Sequence, residues 1–354
     1  MGEIELVEKV VIAPEQPTPR KRMFLSNIDL SLVVYQDSAS FFDPPSTQMS
    51  FGEICGKLYS ALGKMLVQYD FMAGRLVPSL EETHRFEIDC NGAGIVVVAA
   101  RTDRKLSEFG VISAPNPELR ELVVFLQEEG DQETDMKERS LASLQLTQFG
   151  CGSLALASRY NHCTLDGSAI RDFEVNLGAL TRGGDLIIVP NADRTLLRAR
   201  NPPKISHPHF EYSKSTETHN LFTIQGKSGN ALVPGFARAS VRDLIELEDA
   251  CHIRKVQEGV ERLDDEYIKS GIDWLEVNKG APCMEDSFSL VAWWRLGLEE
   301  QLFAWGRLKC ATPLAVKAGL VMLLPGPQDE GGLNICLDLP EDQMQEFSRI
   351  MLEV

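Results

Sequence analysis

The chain has 354 residues, of which 44% are hydrophobic and 25% are charged, and its formal net charge is −17. This composition is that of a soluble globular protein rather than a disordered one, and the length allows two domains that each bury a core. The strong negative charge argues against nucleic acid or an anionic membrane as the main partner, so an anionic ligand would need a local basic patch.

The N-terminal segment is acidic and lacks the basic start and apolar stretch of a secretory signal. Leu6 occupies the position at which a myristoylation motif starting from Gly2 requires Ser or Thr. No apolar run approaches the length of a transmembrane helix. The cysteines are scattered, without the paired spacing of a metal site, and indicate reduced thiols. We therefore expect a cytoplasmic protein with no integral membrane segment and no metal.

Apolar periodicity predicts the elements of the first half of the chain. An amphipathic helix is expected from Phe51 to Tyr69, where apolar residues recur at helical spacing. Strands are expected at 5–13, 25–35, 85–89, 95–100, 121–126, 144–149 and 153–160. The last two should form a pair that turns at Gly150–Gly152.

The run LALASRYNHCTLDG, from Leu154 to Gly167, is the most informative part of the sequence. It predicts a buried strand that ends at His162, followed by Asp166 and Gly167. A neutral imidazole can take a proton from an alcohol as the alcohol attacks an activated carbonyl, and can return that proton to a leaving thiolate. His162 is therefore the candidate catalytic base. On spacing alone, a core histidine whose ring is satisfied by backbone groups remains the alternative.

Asp166 stands where a helix N-cap belongs, with its carboxylate able to accept a hydrogen bond from the backbone N–H of Ser168 or Ala169. We favour this structural role over a role in a catalytic triad, because the sequence contains no serine nucleophile elbow. Cys163 adjoins His162, and on a strand its side chain would point to the opposite face. A Cys–His dyad is therefore not expected.

The remaining elements follow from the same periodicity. A helix should begin just after Asp166 and end near Gly183–Gly184. The segment from about 186 to 209 is predicted to cross between domains, and it carries four prolines and the basic residues Arg194, Arg198, Arg200 and Lys204. These charges indicate either a solvated face or a patch for an anionic ligand. A helix at 241–269, strands near 287–294 and 316–324, and a strand plus a terminal helix after Pro340 complete the prediction.

Several segments occur in an order that resembles the BAHD family of plant acyl-CoA-dependent acyltransferases. They are LVQYDFMAGRL, the CGSLALASRYNHCTLDG run, SGNALVP, VAWWRL and LFAWG. Asn161 stands where the related peptide-synthetase condensation domains have a second histidine, so that branch is disfavoured. Within the family the chain is most similar to the hydroxycinnamoyl transferases, particularly the omega-hydroxypalmitate O-feruloyl transferase-like group.

The resemblance implies an α/β fold of two chloramphenicol-acetyltransferase-like domains, with mixed sheets flanked by helices and a channel between the domains. The N-terminal domain would span 1–185 and carry the HxxxD motif, a crossover linker 186–215, and the C-terminal domain 216–354. His162 would be reached from opposite ends by acyl-CoA, the co-substrate, and by an alcohol acceptor. No permanently bound cofactor and no further partner are implied, and a monomer is expected.

The resemblance also assigns structural residues near the site. Asp166 matches a family aspartate that points away from the channel, and Gly167 follows it. Trp305 and Gly306 match the end of the family's Asp-Phe-Gly-Trp-Gly motif, which forms a structural loop. No residue that contacts CoA is identified.

Two departures from the family pattern predict a shortened second domain. Leu302 replaces the aspartate of that loop motif, and Ala304 replaces its first glycine. The arginine that normally pairs with this aspartate belongs to a segment that is missing between Gln225 and Gly226, together with a helix and strands. Loss of both partners is self-consistent, because a buried carboxylate without its cation is costly.

The leading functional hypothesis is an O-acyltransferase that moves a hydroxycinnamoyl group, such as feruloyl, from CoA to an alcohol such as an omega-hydroxy fatty acid. His162 would be the general base. One alternative is a truncated protein that is catalytically impaired. The other is a BAHD acyltransferase with a different acceptor, such as shikimate, an amine or another alcohol.

Overall fold

Strands and helices alternate along the chain in a mixed α/β arrangement. The computed structural model describes residues 4–83, 85–123, 137–213, 229–230, 233–283, 287–326 and 331–352. In chain order the elements are β1 (Glu5–Ile12), β2 (Arg22–Phe24), α1 (Asn27–Leu30), β3 (Tyr35–Phe42), α2 (Phe51–Gln68), β4 (Arg75–Pro78), β5 (Phe86–Asp89), β6 (Ile95–Thr102), β7 (Ala142–Phe149), β8 (Leu154–Asn161), α3 (Gly167–Thr181), β9 (Tyr212–Ser213), α4 (Val241–Glu246), α5 (Asp249–Glu261), α6 (Asp265–Asn278), β10 (Ala281–Pro282), β11 (Ser289–Ala292), β12 (Leu302–Phe303), β13 (Gly306–Arg307), β14 (Cys310–Pro313), β15 (Leu320–Pro325), β16 (Leu333–Leu337) and α7 (Glu341–Leu352).

A six-stranded mixed sheet organises the first half of the chain. Its strands lie in the order β1–β6–β7–β8–β3–β14. The β6–β7 pair is parallel and the other four pairs are antiparallel. The edge strand β14 comes from the far end of the chain and pairs with β3 from Cys310 opposite Phe41 to Pro313 opposite Ser38. The predicted second domain therefore contributes a strand to the sheet of the first.

Helices α2 and α3 cover one face of this sheet. Helix α2 begins with a capping box in which Ser50 accepts from the Glu53 backbone N–H, and nine of its residues are buried. The main hydrophobic core lies between these helices and strands β6, β7 and β8. A smaller core covers the other face, around Phe41 and Phe109. The strand β8 that leads to His162 is therefore buried on both faces.

The second half of the chain has a smaller sheet of three strands, in the order β11–β15–β16. Its β11–β15 pair is parallel and its β15–β16 pair is antiparallel. A third core joins the two halves, where Ile28 of α1 and Leu32, just after it, pack with Ile272 and Leu275 of α6. Asn27 strengthens this contact by donating to the Ile272 carbonyl at 3.1 Å.

The segment 25–35 differs from its prediction as one strand. Its first part forms the short helix α1, because Ser26 and Asp29 make a capping box in which each side chain bonds the other residue's backbone. The strand β3 begins only at Tyr35. The local capping geometry prevails here over the β-propensity of the apolar residues.

Two other elements of the structure also differ from the sequence-based prediction. The single helix expected at 241–269 is divided into α4, α5 and the start of α6, because Leu247 adopts an extended conformation after α4 and Asp264 caps a new helix. Residues 117–122 form a 3-10 turn capped by Asn116, where a strand was expected from 121. The remainder of that predicted strand, 124–126, lies outside the described residues, as does the Gln225–Gly226 junction.

Among the described residues, none of the helices combines the length and apolar character that a membrane span requires.

Candidate active site

His162 lies at the corner where the buried strand β8 ends and the chain turns toward α3. Its backbone N–H donates to the Val34 carbonyl at 2.8 Å, which ties the corner to the residue before β3. The side chain is only 5% exposed. Burial lowers the pKa of His162 below its ordinary value, and the Asn230 hydrogen bond opposes this shift in part. The imidazole is therefore neutral at pH 7.

Asn230 determines which nitrogen of the His162 ring carries the proton. The Asn230 amide nitrogen Nδ2 donates to the Asp29 carboxylate at 2.8 Å and to the His162 carbonyl at 2.7 Å. Its Oδ1 must therefore face the ring, where it lies 3.0 Å from Nδ1 of His162. Since an amide oxygen can only accept, Nδ1 carries the hydrogen and Nε2 holds the lone pair.

Nε2 is the second nitrogen of the His162 ring. It makes no hydrogen bond with the described residues. A neutral imidazole whose lone pair is not engaged can accept a proton.

A buried ion pair supports Asn230 from behind. Asp29 is fully buried, and its Oδ2 lies 3.0 Å from Nε of Arg194, which is only 3% exposed. Arg194 also donates from Nη2 to the Thr164 carbonyl at 2.6 Å, on the turn that follows His162. The crossover segment, α1 and the β8–α3 corner are thereby held in one network.

Asp166 and Gly167 form the start of α3. The Asp166 carboxylate accepts from the Ala169 backbone N–H at 2.9 Å, as expected for the N-cap. Gly167 lies close to Leu296, the residue that follows the 3-10 turn at 293–295, because a Cβ added at position 167 would lie 3.3 Å from the Leu296 side chain. These two residues shape the corner that holds His162.

Cys163 is buried next to His162 but takes no part in its hydrogen bonding. Strand β8 ends at Asn161, so the alternation expected for a strand does not extend to Cys163. Burial is the main cause that raises the pKa of the Cys163 thiol far above its ordinary value. The thiol remains protonated, so a thiolate nucleophile is excluded here on chemical grounds.

Trp305 and Gly306 lie away from His162, at the opposite end of α3. The Trp305 ring stacks on Phe303 with centroids 4.8 Å apart and meets Phe42 edge to face at 5.9 Å. The neighbouring Ala304 N–H donates to the Thr181 hydroxyl at 3.0 Å, on the last residue of α3. This helix has 15 residues, so its ends are about 22 Å apart. Trp305 is part of the main hydrophobic core, and Gly306 begins β13 directly after it.

A narrow cleft beside the same corner has a cavity volume of about 30 Å³ and is partly open to solvent. Strands β3, β8 and β14 form one side, and α3 with the turns at 293–300 forms the other. Its lining residues are Gln36, Ser38, Ser40, Tyr160, Gly167, Ile170, Glu174, Trp293, Leu296, Leu298 and Ala311. His162 is not one of them, although Tyr160 precedes it by two residues and Gly167 follows it by five.

The basic residues of the crossover segment are engaged by carboxylates. Besides the Arg194–Asp29 pair, Arg200 contacts both Asp273 and Glu266, Lys204 lies 3.7 Å from Glu266, and Arg198 lies 3.5 Å from Glu82. The interpretation of this segment as a patch for an anionic ligand is thereby weakened. Its charges bind the segment to α6 and to the loop after β4.

Three residues of the His162 environment were not predicted from the sequence, namely Asn230, Asp29 and Arg194. Asn230 lies in the SGNALVP segment, which pointed to the family but was given no role. Asp29 was hidden by the prediction of a strand, although Ser26 followed by Asp29 is a capping-box signal. Nothing in the sequence distinguishes Arg194 from its exposed neighbours.

Comparison with known proteins adds relatives over almost the whole chain. The model of the Transferase family matches residues 2–228 and 223–353. A hydroxycinnamoyltransferase of Narcissus pseudonarcissus is 29% identical over 99% of this chain and 100% of the relative. An omega-hydroxypalmitate O-feruloyl transferase of Arabidopsis thaliana is 25% identical over 99% and 93%.

The relatives are longer than this chain. The alignment with the Narcissus protein runs over 442 positions, 88 more than the 354 residues present here. At least that many of its positions have no counterpart in this chain.

Solved structures show the same fold. Vinorine synthase has a TM-score of 0.72 at 18% identity and covers 97% of this chain and 96% of its own. The F. graminearum TRI101 complexed with coenzyme A and T-2 mycotoxin has a TM-score of 0.69 at 13% identity, over 93% and 97%. The expected α/β class, with mixed sheets flanked by helices, is confirmed.

Proposed function

Because this chain belongs to the Transferase family, the BAHD acyltransferases, and is an acyl-transferring enzyme, we propose that it moves a hydroxycinnamoyl group from a CoA thioester to an alcohol. The proposed acyl group is feruloyl or a close analogue, and the proposed acceptor is an omega-hydroxy fatty acid. The named activities of the Narcissus and Arabidopsis relatives support this choice of substrates. The coenzyme A bound by TRI101 supports CoA as the carrier.

His162 is the proposed general base. Its Nε2 lone pair takes the proton of the acceptor hydroxyl while the alcohol oxygen forms a bond to the thioester carbonyl carbon. The tetrahedral intermediate then expels the CoA sulfur, the C–S bond breaks, and the imidazolium returns the proton to give the free thiol. The observation that carries this proposal is the orientation of Asn230, which leaves Nε2 unprotonated and able to accept a proton.

The test compares the wild-type protein with His162→Ala in a CoA-release assay with feruloyl-CoA and omega-hydroxypalmitate. We expect the variant to lose about 10²-fold or more in kcat, the usual contribution of a positioned general base. His207→Ala, which removes a histidine that packs against Tyr267 of α6, should keep the wild-type rate. Equal rates for wild type and His162→Ala, with both proteins folded by circular dichroism, would remove His162 from the mechanism.

The acceptor is tested in the same assay. Shikimate, an aromatic amine and a primary fatty alcohol are supplied in place of the omega-hydroxy fatty acid. Faster turnover with any of them would reassign the acceptor and leave the acyl transfer itself intact.

A second candidate is a protein that has lost catalysis. It is favoured by the 88 positions that the Narcissus alignment has beyond this chain, and by the two matches of the family model that meet at 223–228. Calorimetric titration with CoA decides between the candidates. Cooperatively folded protein that neither binds CoA nor turns over any acyl-CoA would establish the inactive form.

A further inference from the structure

A carboxylate from α1 is connected to His162 through a single amide. Oδ1 of Asp29 accepts from Nδ2 of Asn230 at 2.8 Å, and Oδ1 of Asn230 lies 3.0 Å from Nδ1 of His162. The carboxylate of the HxxxD motif is used elsewhere, since Asp166 accepts from the Ala169 N–H and caps α3. A base whose far nitrogen is oriented by a third group is the arrangement found in catalytic triads.

Asp29 is held in place by donors on both of its oxygens. Ser26 donates to Oδ2 from its backbone N–H at 2.7 Å and from its hydroxyl at 2.8 Å. Asn230 donates to Oδ1 from its backbone N–H at 3.2 Å and from Nδ2 at 2.8 Å. The Asp29 side chain is fully buried, so these groups determine its orientation. Because a carboxylate surrounded by donors acts only as an acceptor, the edge of the Asn230 amide that faces it must be the nitrogen.

Arg194 places a positive charge on the other side of Asp29. Its Nε lies 3.0 Å from Oδ2, away from the oxygen that Asn230 uses. A Cβ added at Gly229 would lie 3.0 Å from the guanidinium carbon of Arg194, so the chain that carries Asn230 packs directly on the ion pair. The pair and the amide are therefore one packed unit, and a change in either charge should be felt at the His162 ring.

Charged groups from three elements act around the ring. Burial is the main cause that lowers the pKa of His162. Asp29 of α1 raises this pKa, whereas Lys317, in the loop between β14 and β15, lowers it. Arg194 of the crossover segment acts through its pair with Asp29, and the neighbouring Cys163 thiol stays protonated. Asp29 therefore favours the charged form of the ring, which is the form that a general base adopts during the reaction.

We propose that Asp29 is a positioning residue for acyl transfer. Acting through Asn230, it keeps the hydrogen on Nδ1 of His162 and stabilises the imidazolium that forms when Nε2 takes the proton of the acceptor hydroxyl. Asp29 itself neither touches the substrate nor takes a proton. This inference rests on the proposed function of His162 as the general base.

The kinetic test compares Asp29→Asn with the wild-type protein in the CoA-release assay as a function of pH. We expect kcat to fall about 10-fold or more while KM changes less than about twofold, because the effect belongs to the charged ring and not to substrate binding. The acid limb of kcat/KM should move to lower pH by about half a pH unit or more, since a group that favours the imidazolium has been neutralised.

Asp273→Asn is the matched control for the loss of a buried ion pair. Asp273 is 1% exposed, and its Oδ2 lies 2.6 Å from Nε of Arg200, between α6 and the crossover segment. This variant should keep the wild-type kcat and acid limb. An equal fall in kcat in both variants, with no movement of the acid limb, would show that Asp29 contributes only to folding and would overturn the proposal.

Arg194→Gln tests the same charge in the opposite direction. It leaves the Asp29 carboxylate uncompensated, so the acid limb should move to higher pH. Opposite movements in Asp29→Asn and Arg194→Gln cannot come from a shared loss of stability. Circular dichroism reports whether each variant is folded, and if Arg194→Gln is not, Asp29→Asn decides alone.

Nuclear magnetic resonance of protein labelled with ¹⁵N-histidine separates this inference from the proposed function, because it needs no turnover. The His162 signals are assigned by their absence in His162→Ala. We expect the Nδ1–H tautomer in the wild-type protein and a lower titration midpoint of this ring in Asp29→Asn. If both are observed but no acyl-CoA is turned over, the proposed function fails and the positioning role stands. An Nε2–H tautomer in the wild type, or the same midpoint in folded Asp29→Asn, would overturn the positioning role.

Discussion

At the scale of single residues, one amide orientation sets the chemistry of the β8–α3 corner. Asn230 can face His162 only with its oxygen, because its nitrogen is held by Asp29 and by the His162 carbonyl. Burial adds a second condition, since it keeps the imidazole neutral. The two effects act on different properties of the ring, namely its tautomer and its pKa.

The pH dependence of acyl transfer should report this burial. Because desolvation lowers the pKa of His162 below 6.5, the base is lost to protonation only at more acidic pH. We expect the acid limb of the kcat/KM profile with feruloyl-CoA to have an apparent pKa below 6.5. An acid limb above 6.5 would show that the ring is stabilised in its charged form, contrary to its buried position.

Glu174 should make stability depend on pH in the opposite sense from most carboxylates. Burial raises the pKa of Glu174 from 4.5 to about 7. Between these values the native state holds more protons than the unfolded state, so the free energy of unfolding falls as pH rises from 4.5 to about 7. Glu174→Gln should therefore be more stable than wild type by up to about 3 kcal/mol above pH 7 and no more stable below pH 4.5.

Urea denaturation of Glu174→Gln and wild type at pH 4.5 and pH 8 checks this prediction, with Glu299→Gln as an exposed control. The same stability difference at both pH values would mean that the pKa of Glu174 is the same in the folded and unfolded states, so that burial does not raise it.

At the scale of elements, the N-terminal caps of the helices explain which secondary-structure predictions were correct and which were wrong. Asp166, followed by apolar residues at helical spacing, predicted α3 correctly, because the N-cap and the apolar spacing both indicate a helix that begins at this point. The Ser26–Asp29 box was masked by the β-branched and apolar residues around it, and the strand prediction was wrong there. Asn230 and Arg194 could not be assigned at all, since their roles depend on contacts 68 and 30 residues away in sequence.

The cap assignment of Asp166 makes a direct prediction. Asp166→Asn keeps an oxygen that can accept from the Ala169 N–H, so stability and turnover should stay close to wild type. Asp166→Ala removes the cap and should lower the free energy of unfolding by about 1 kcal/mol. Thermal denaturation together with the CoA-release assay tests both variants. Loss of turnover in a fully stable Asp166→Asn protein would give this carboxylate a chemical role.

At the scale of the whole molecule, the two halves differ in how well their apolar surface is covered. Helices α4 and α5 expose a series of large apolar side chains, each at least 49% accessible: Val241, Leu244, Ile245, Ile253, Val256 and Val260. Such a surface is unusual for a soluble chain. The sequence predicted a shortened second domain. The domain boundaries at 185 and 215, the cytoplasmic location and the monomeric state stay predictions.

This surface should bind a hydrophobic dye. We expect ANS fluorescence to rise with the folded wild-type protein and to fall in the double variant Leu244→Glu, Ile253→Glu, whose melting temperature should be unchanged because neither side chain is buried. Glu258→Gln on the same helix is the control. Light scattering would report any accompanying self-association. Equal dye binding in all three proteins would place the accessible apolar surface elsewhere.

The pairing of β14 with β3 has a consequence for how the protein is made. The ribosome synthesises β3 first, whereas Cys310–Pro313 follows only after more than half of the described chain has been added. Throughout that interval the nascent chain carries an unfilled hydrogen-bonding edge, the kind of site at which growing polypeptides associate wrongly. Completion of the first sheet therefore waits until β14 has been synthesised, and a transcript that stops before codon 310 encodes a product that cannot close it.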